Sequence, residues 1–323
     1  MYEPILVADI GGTNARFAIA KSFDKKSNQV TLEQVKKLPS SDFNDFESAL
    51  DAYLSTLSTI PKRACFAVAG PRKGDKVFIT NLGWEFEIPA LQNRFGFTQF
   101  KIINDFAAFA EAAPFIDVAN NLTVKQGIAD ETGNIGILGP GTGFGASALV
   151  RGQNINCVLS CEAGHASLAA TTEQELDIIR ELSKKFEYVS VERVFSGPGI
   201  ENLYLAIAAV TKQQVKPLSA SEISQNAIAE SCPVCVETLN QLCDWLGSLA
   251  SDLALNFNAT GGIFIGGGIL PRFTDILLAS QFTQRFIEKG KMKHIVKDIP
   301  VVLITQDNVP LVGAAASLET SPV

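Results

Sequence analysis

Asn104-Asp105 closes the apolar stretch "FKII" and runs straight into "FAAFAEAA". Ligands of open parallel sheets bind beyond the carboxyl ends of the strands, so a carboxylate there is placed to act on one. Asp105 can accept a hydroxyl proton as general base, with Asn104 holding the same molecule through its amide. The pair also suits the cap of the following helix, where Asn and Asp are preferred. Further along, "SCEAGHAS" offers Glu162 and His165, one of 2 histidines in the chain, and "VSVERVFSGPGI" offers Glu192 beside Arg193. Glu, His and Asn converging from loops supply the mixed donors and acceptors that a polyol needs. A structural histidine and a surface ion pair are the plainer readings of these residues. Cys161, just ahead of His165, would make a nucleophile pair, but no activating context accompanies it.

Three glycine turns complete the set. "ILVADIGGTNARFAIA" places Gly11, Gly12 and Thr13 between apolar runs, with Asp9 ahead and Asn14 behind. "GPGTGFG" puts Gly141, Thr142 and Gly143 between two more, and "GGIFIGGGILPRF" runs into Gly266, Gly267 and Gly268. Small residues admit a phosphate to the backbone, whose N–H groups and a Thr hydroxyl then donate to it. Asp9 beside such phosphates can steer Mg²⁺ through water. One turn alone reads equally as a hairpin whose Gly and Asn supply positive φ, and Asp9 as a strand-end carboxylate bonded to it. Two matched turns, each holding a threonine, favour a clamp that grips one phosphate chain from two lobes. The third suits a flat ring or a phosphate, or a tight strand–helix connection. "GTGFGA" with Glu162 downstream mimics a dinucleotide fingerprint, but a β-rich segment follows where a helix is required. No Walker A sequence occurs. Cys232-Pro-Val-Cys235 is half a zinc motif without a nearby histidine, and with Leu239, Leu242, Cys243 and Leu246 it reads as the core stripe of a helix.

The elements that must position these residues follow from periodicity. "ILVADI", "ARFAIA" and "QVTLEQVKKL" predict three strands, the first two meeting as an antiparallel hairpin. Phe46, Leu50, Tyr53 and Leu57 recur at helical spacing, followed by the strands "ACFAVAG" and "FKIINDF" and a helix from about Asp105. The second part repeats the order with "NIGILGP", "GASALVRG" and "INCVLSC", then helices including a long one from Pro233. It ends with "GGIFIGGG", a helix from Pro271, "VVLITQ" and the helix "PLVGAAASLET". The repeated βββαβα pattern is an internal duplication, and 323 residues fit two lobes. Apolar residues at 46% and charged residues at 19% give each lobe a core. A net charge of -7, with basic residues scattered apart from "KGKMKH", excludes an electrostatic nucleic-acid footprint. No apolar run approaches a membrane span, no signal-type start is seen, and 6 cysteines lie mostly in apolar runs. A cytoplasmic protein with free thiols and without a structural disulfide is expected.

Together "DIGGTNARFAI", "FAVAGP", "TNLGW", "IINDF", "GPGTGFG", "EAGH", "ERVFSGPG", "GGIFIGGGILPRF" and "DNVPLVGAAA" resemble, in order and along nearly the whole chain, the bacterial-type glucokinases of the hexokinase superfamily. The cysteine cluster and DNA-binding region of ROK-type kinases and repressors are missing. The resemblance implies an α/β fold, the duplicated ribonuclease H-like (actin-like ATPase) fold, with an active-site cleft between two lobes. The small lobe would hold residues 1–109 plus about 306–323, and the large lobe residues 110–305. It implies a homodimer that phosphorylates glucose from ATP with Mg²⁺. Gly11, Gly12 and Thr13 match the first phosphate loop with Asp9 toward the metal, Gly141, Thr142 and Gly143 the second, and Gly266 to Gly268 the adenosine-side turn. Asn104, Asp105, Glu162, His165 and Glu192 match the glucose ligands, with Asp105 the catalytic base. A kinase for another hexose or amino sugar, or an actin- or chaperone-like ATP-binding switch, are the alternatives. A switch protein has no use for the converging sugar ligands.

Overall fold

Strand β1 (Ile5–Ile10) is buried along its whole length, as a near-continuous apolar run broken by Asp9 predicts for a strand covered on both faces. Alternate residues point to opposite sides of a sheet. Leu6, Ala8 and Ile10 enter a core with Phe17, Phe46, Leu50, Tyr53 and Phe66. Ile5 and Val7 enter a second with Cys65, Leu311, Ala314 and Ala315. The computed structural model describes residues 2–24, 29–79, 81–152 and 156–320. Thr80 of the "TNLGW" stretch lies outside them. The chain divides into two units, Met1–Asp117 with Gln306–Val323, and Val118–Thr305.

In the first unit β1 pairs antiparallel with β2 (Asn14–Asp24), which pairs with β3 (Gln29–Pro39). On its other side lie β4 (Arg63–Val68) and, further out, a strand over Gln99–Asn104, all three parallel. Helix α1 (Phe46–Leu54) covers one face. It starts in a reciprocal capping box between Asp45 and Ser48. Between α1 and the last strand, β5 (Arg72–Lys73), β6 (Lys76–Ile79) and β7 (Trp84–Glu87) form a separate small sheet, followed by α2 (Ile88–Phe95). The Gln99–Asn104 strand, β8, leads directly into α3 (Asp105–Ala112).

The C-terminal helix over Val309–Thr320 packs on α3 so closely that a Cβ at Gly313 would overlap the Ala108 carbonyl. The expected lobe boundary at Phe109 falls inside α3. The chain leaves this unit only after Asp117, because a helix held in that way cannot be divided.

The second unit repeats the plan. Strands β10 (Ile135–Pro140), β11 (Phe144–Arg151) and β12 (Asn156–Cys161) form an antiparallel meander, and β10 runs parallel to β13 (Gly262–Ile265) and β13 to β14 (Val301–Leu303). An antiparallel edge strand, β9 (Leu122–Lys125), closes the far side. The order β12-β11-β10-β13-β14 mirrors β3-β2-β1-β4-β8. Helices α4 (Glu173–Ser183), α5 (Gly197–Val210), α6 (Ala220–Ile228) and α7 (Pro233–Asn256) separate β12 from β13. After β13 come α8 (Thr274–Ala279), α9 (Phe282–Ile287) and α10 (Lys293–Val296), and the C-terminal helix becomes α11. The helix predicted from Pro271 begins instead at Thr274, since Leu270–Arg272 form a 3₁₀ turn and Phe273 leaves helical geometry with φ -144° and ψ 49°. Cys235 and Cys243 lie in the core stripe of α7, whereas Cys232 is its partly exposed N-cap residue.

The α3–α11 contact carries the first testable consequence. Gly313→Ala inserts a methyl group where a carbonyl sits, and overpacking of this kind costs about 1–3 kcal/mol. Urea unfolding should show that loss, with turnover falling as well because α3 begins at Asp105.

Candidate active site

The parallel register aligns the chemistry of the first unit. Ile10 pairs with Val68 and Val68 with Asn104, so Gly11 and Asp105 follow directly on one row at the carboxyl end of the sheet. Asn104 Oδ1 accepts from the N–H groups of Phe106 (2.9 Å) and Ala107 (3.2 Å), which makes it the N-cap of α3. That commits the amide oxygen to the helix and leaves the amide hydrogens for other partners. Asp105 Oδ1 accepts from Phe106 N–H at 3.0 Å. Its carboxyl pKa is pushed up to about 7, first by burial and then by the charge of Asp9, against hydrogen bonds that favour the ionised form. A partly exposed carboxylate poised near neutrality, at the end of a parallel strand, has the properties of a general base.

Asp9 is 8% exposed, and its pKa is raised by burial and opposed by Arg16. Arg16 Nη1 donates to Asp9 Oδ2 at 2.9 Å across the β1–β2 hairpin, where the two residues face one another. Asp9 therefore bonds Arg16 rather than the turn's own N–H groups. The turn closes through Gly11 N–H donating to the Asn14 carbonyl at 3.0 Å, and Asn14 joins it by backbone.

None of Gly11, Gly12, Asn14, Gly141 and Gly143 has a positive φ, so the conformational need ascribed to these glycines is not what selects them. A Cβ at Gly11 would meet only the Asn14 carbonyl at 3.8 Å, and one at Gly141 only the Gly143 carbonyl at 3.9 Å. Those are ordinary contacts. Gly12 is tighter, 3.0 Å from Asn81 Cβ. At Gly11 and Gly141 neither strain nor packing among the described residues demands glycine, and the backbone there is open to close approach. The Thr13 and Thr142 side chains are exposed and have no hydrogen-bond partner among the described residues. The third turn behaves differently. Gly267 has φ +93°, and its Cβ would overlap the Pro140 carbonyl, while a Cβ at Gly139 would overlap the carbonyl of Gly266. These two positions are fixed by packing of the turn on β10, whereas Gly268 opens to free space.

In the second unit Glu162 precedes and His165 ends a 3₁₀ turn, Ala163–His165, and both are exposed without a side-chain partner among the described residues. Gly164, within this turn, is buried, and a Cβ there would overlap the Phe144 carbonyl. Glu192 does not pair with Arg193, whose guanidinium lies over the Phe186 ring at 4.3 Å. Glu192 Oε2 instead accepts from Phe144 N–H at 2.8 Å. Cys161 Sγ faces the Ala146 carbonyl at 3.4 Å and its pKa is raised by burial, so it is no activated nucleophile. Among the described residues no cluster of three or more His, Cys, Asp or Glu could hold a metal.

Residues 6–321 match the family model described as Glucokinase. A glucokinase of Saccharophagus degradans is 42% identical over 317 residues, covering 98% of this chain and 98% of that one. The chain belongs to the glucokinase family. The crystal structure of a glucokinase from an Antarctic psychrotroph superposes with a TM-score of 0.92 at 53% identity, covering 99% of this chain and 100% of that one. A ROK family glucokinase from Streptomyces griseus, solved in complex with glucose and AMPPNP, shares 19% identity and a TM-score of 0.63 over 98% of each chain, a likeness of fold alone. The fold is the duplicated ribonuclease H-like, actin-like ATPase fold. Arg16, Asn81 and Phe144 lie in the quoted motifs without an assigned role, and the structure sets them against Asp9, Gly12 and Glu192. Arg16 was accessible from hairpin register, since pairing Ile10 with Ala15 sets Asp9 opposite it. Phe144 acts through its peptide group, which leaves no signature in residue type.

Gly141→Ala separates the two readings of the glycine turns. Its backbone tolerates alanine, which should leave stability unchanged or raise it by about 0.4–1 kcal/mol through the unfolded chain. The Michaelis constant for nucleotide should rise about tenfold or more, for a penalty near 1.4 kcal/mol. Thermal unfolding together with steady-state kinetics measures both, and an unstable variant with unaltered nucleotide dependence would make the turn purely structural.

Proposed function

We propose that the chain transfers the γ-phosphoryl group of ATP to the 6-hydroxyl of D-glucose, giving glucose 6-phosphate and ADP, the first step of glycolysis. The observation that carries the mechanism is Asp105, raised to about 7 at the end of β8 and capped into place by Asn104. The sugar oxygen attacks the γ-phosphorus while the bond to the β,γ-bridging oxygen breaks, and the hydroxyl proton passes to Asp105. Such transition states are loose, so alignment and charge stabilisation supply most of the acceleration. On the family resemblance, Asn104, Asp105, Glu162, His165 and Glu192 are the sugar ligands. The backbone of Gly11, Gly12 and Thr13, and that of Gly141, Thr142 and Gly143, receive phosphate oxygens, with Gly266, Gly267 and Gly268 on the adenosine side.

The residues fit a nucleotide-borne Mg²⁺. That ion keeps much of its water and uses one or two carboxylates besides phosphate. Asp9 Oδ2 is engaged by Arg16, while Oδ1 has no partner among the described residues. Asp9 would hold the ion through water, and the ion would neutralise phosphate charge. No described helix is long and apolar enough to cross a membrane. A homodimer working in the cytoplasm belongs to the same proposal and rests on the family resemblance.

ADP release measured across a panel of hexoses and amino sugars tests this. Glucose should give the highest kcat/KM, and Asp105→Asn should lower kcat by about 10²–10⁴ while glucose still binds. ATP turnover indifferent to every sugar, or an Asp105→Asn enzyme of near-normal rate, contradicts the proposal.

A further inference from the structure

The second phosphate turn and the sugar-side residues of its unit share one peptide group. Gly141 N–H donates to the Gly143 carbonyl at 2.7 Å, closing the turn on itself. Its two shoulders are then tied to the segment that carries Glu192. Gly197 N–H donates to the Gly141 carbonyl at 3.1 Å, and Phe144 N–H donates to Glu192 Oε2 at 2.8 Å. The other side of Phe144 is engaged as well, because a Cβ at Gly164, between Glu162 and His165, would overlap the Phe144 carbonyl. The two outer segments are joined to each other: Val191 N–H donates to Ala166 at 2.9 Å and Leu168 N–H to Val189 at 3.0 Å. Below them the Phe144 and Phe195 rings lie 5.8 Å apart in the core.

Gly143 lies directly against the Glu192 side chain. It has no positive φ, yet a Cβ there would stand 2.5 Å from Glu192 Oε2 and 3.2 Å from its carboxyl carbon. A side chain at 143 would therefore displace the Glu192 carboxylate, the end of a flexible side chain. An alanine fits only if that carboxylate swings away and releases Phe144 N–H. Glu192 Oε1 has no partner among the described residues and stays available to a hydroxyl donor. Packed interiors pass displacement on rather than absorbing it, so a carboxylate that moves to meet a ligand moves the turn with it.

We infer that Glu192 is a positioning residue for the second phosphate turn as well as a sugar ligand, coupling sugar occupancy to nucleotide affinity through the Phe144 peptide. The inference rests on the glucose kinase reading above. One carboxylate oxygen fixes the turn, and the other takes the sugar hydroxyl. A bound sugar pins the carboxylate and holds the turn in the shape that receives phosphate. By linkage, nucleotide then raises sugar affinity by the same factor.

Isothermal titration of glucose and of AMPPNP, each alone and each with the other saturating, reads the coupling directly in the full chain. In the wild type each ligand should strengthen the other about fivefold or more, within the usual range of coupling. Gly143→Ala, which adds nothing that could touch a sugar hydroxyl, should weaken glucose binding about tenfold and bring the coupling factor toward 1. Glu192→Ala should weaken AMPPNP severalfold even without glucose. Glu192→Gln, which can still accept from Phe144 N–H, should keep AMPPNP affinity near wild type and lose glucose affinity. Thermal unfolding of each variant excludes global damage, and the Gln variant preserves side-chain volume should Gly143→Ala not fold. A wild-type chain that binds no glucose overturns the kinase reading itself. A wild type that binds glucose, with Gly143→Ala and Glu192→Ala affecting only one ligand each, overturns the coupling alone.

Discussion

Two neighbouring carboxylates, Asp9 buried against the Arg16 guanidinium and Asp105 partly buried, set the terms for the rest of the first unit. Burial lifts the pKa of both Asp9 and Asp105, and the charge on Asp9 lifts Asp105 further. Arg16 offsets one of these charges through its bond to Asp9. Unpaired buried charge is expensive, so the hairpin that delivers Arg16 is as necessary as the strand that carries Asp9. The same hairpin ends in the Gly11 turn, and the same row of the sheet ends at Asp105. Register therefore fixes phosphate turn, counter-ion and base together.

The two glycine turns have matching outlines and different supports. In the first unit the turn leans on Asn81 and is closed by Asn14. In the second it is held by Gly197, Glu192 and, through Phe144, by the neighbourhood of Gly164. A duplicated fold has kept the turn in each copy and given each its own surroundings. The third turn has mostly a packing explanation, since Gly267 and Gly139 let two backbones meet.

Much of the fold was legible because apolar pattern and burial coincide. The β1–β2 hairpin, the stripe of α7 and the repeat of strands between the halves follow from alternation and spacing, and the sheet orders agree with that repeat. The Pro271 helix was displaced because a proline permits a helix start without requiring one, and Phe273 interrupts the first turn. The small β5-β6-β7 sheet was hidden by two-to-four-residue strands too short to show a period. Residue types singled out Asp105, Asn104, Glu162, His165 and the turns as candidates. The Asn104 cap is realised through its amide oxygen. What residue types could not announce was the work of backbone groups, above all the Phe144 peptide, and the bond that turns Glu192 inward rather than toward Arg193.

The raised pKa of Asp105 has opposite consequences for stability and for activity. A carboxyl with a folded-state pKa above its unfolded value binds a proton more readily when folded, so its contribution to stability grows as pH falls from about 7 toward 4. Its action as a base is lost over the same range. The most direct measurement is the pH dependence of kcat/KM for glucose, which reports groups of the free enzyme. The account predicts an acidic limb of unit slope centred near 7. A limb centred near 4, about the ordinary aspartate value, would contradict it.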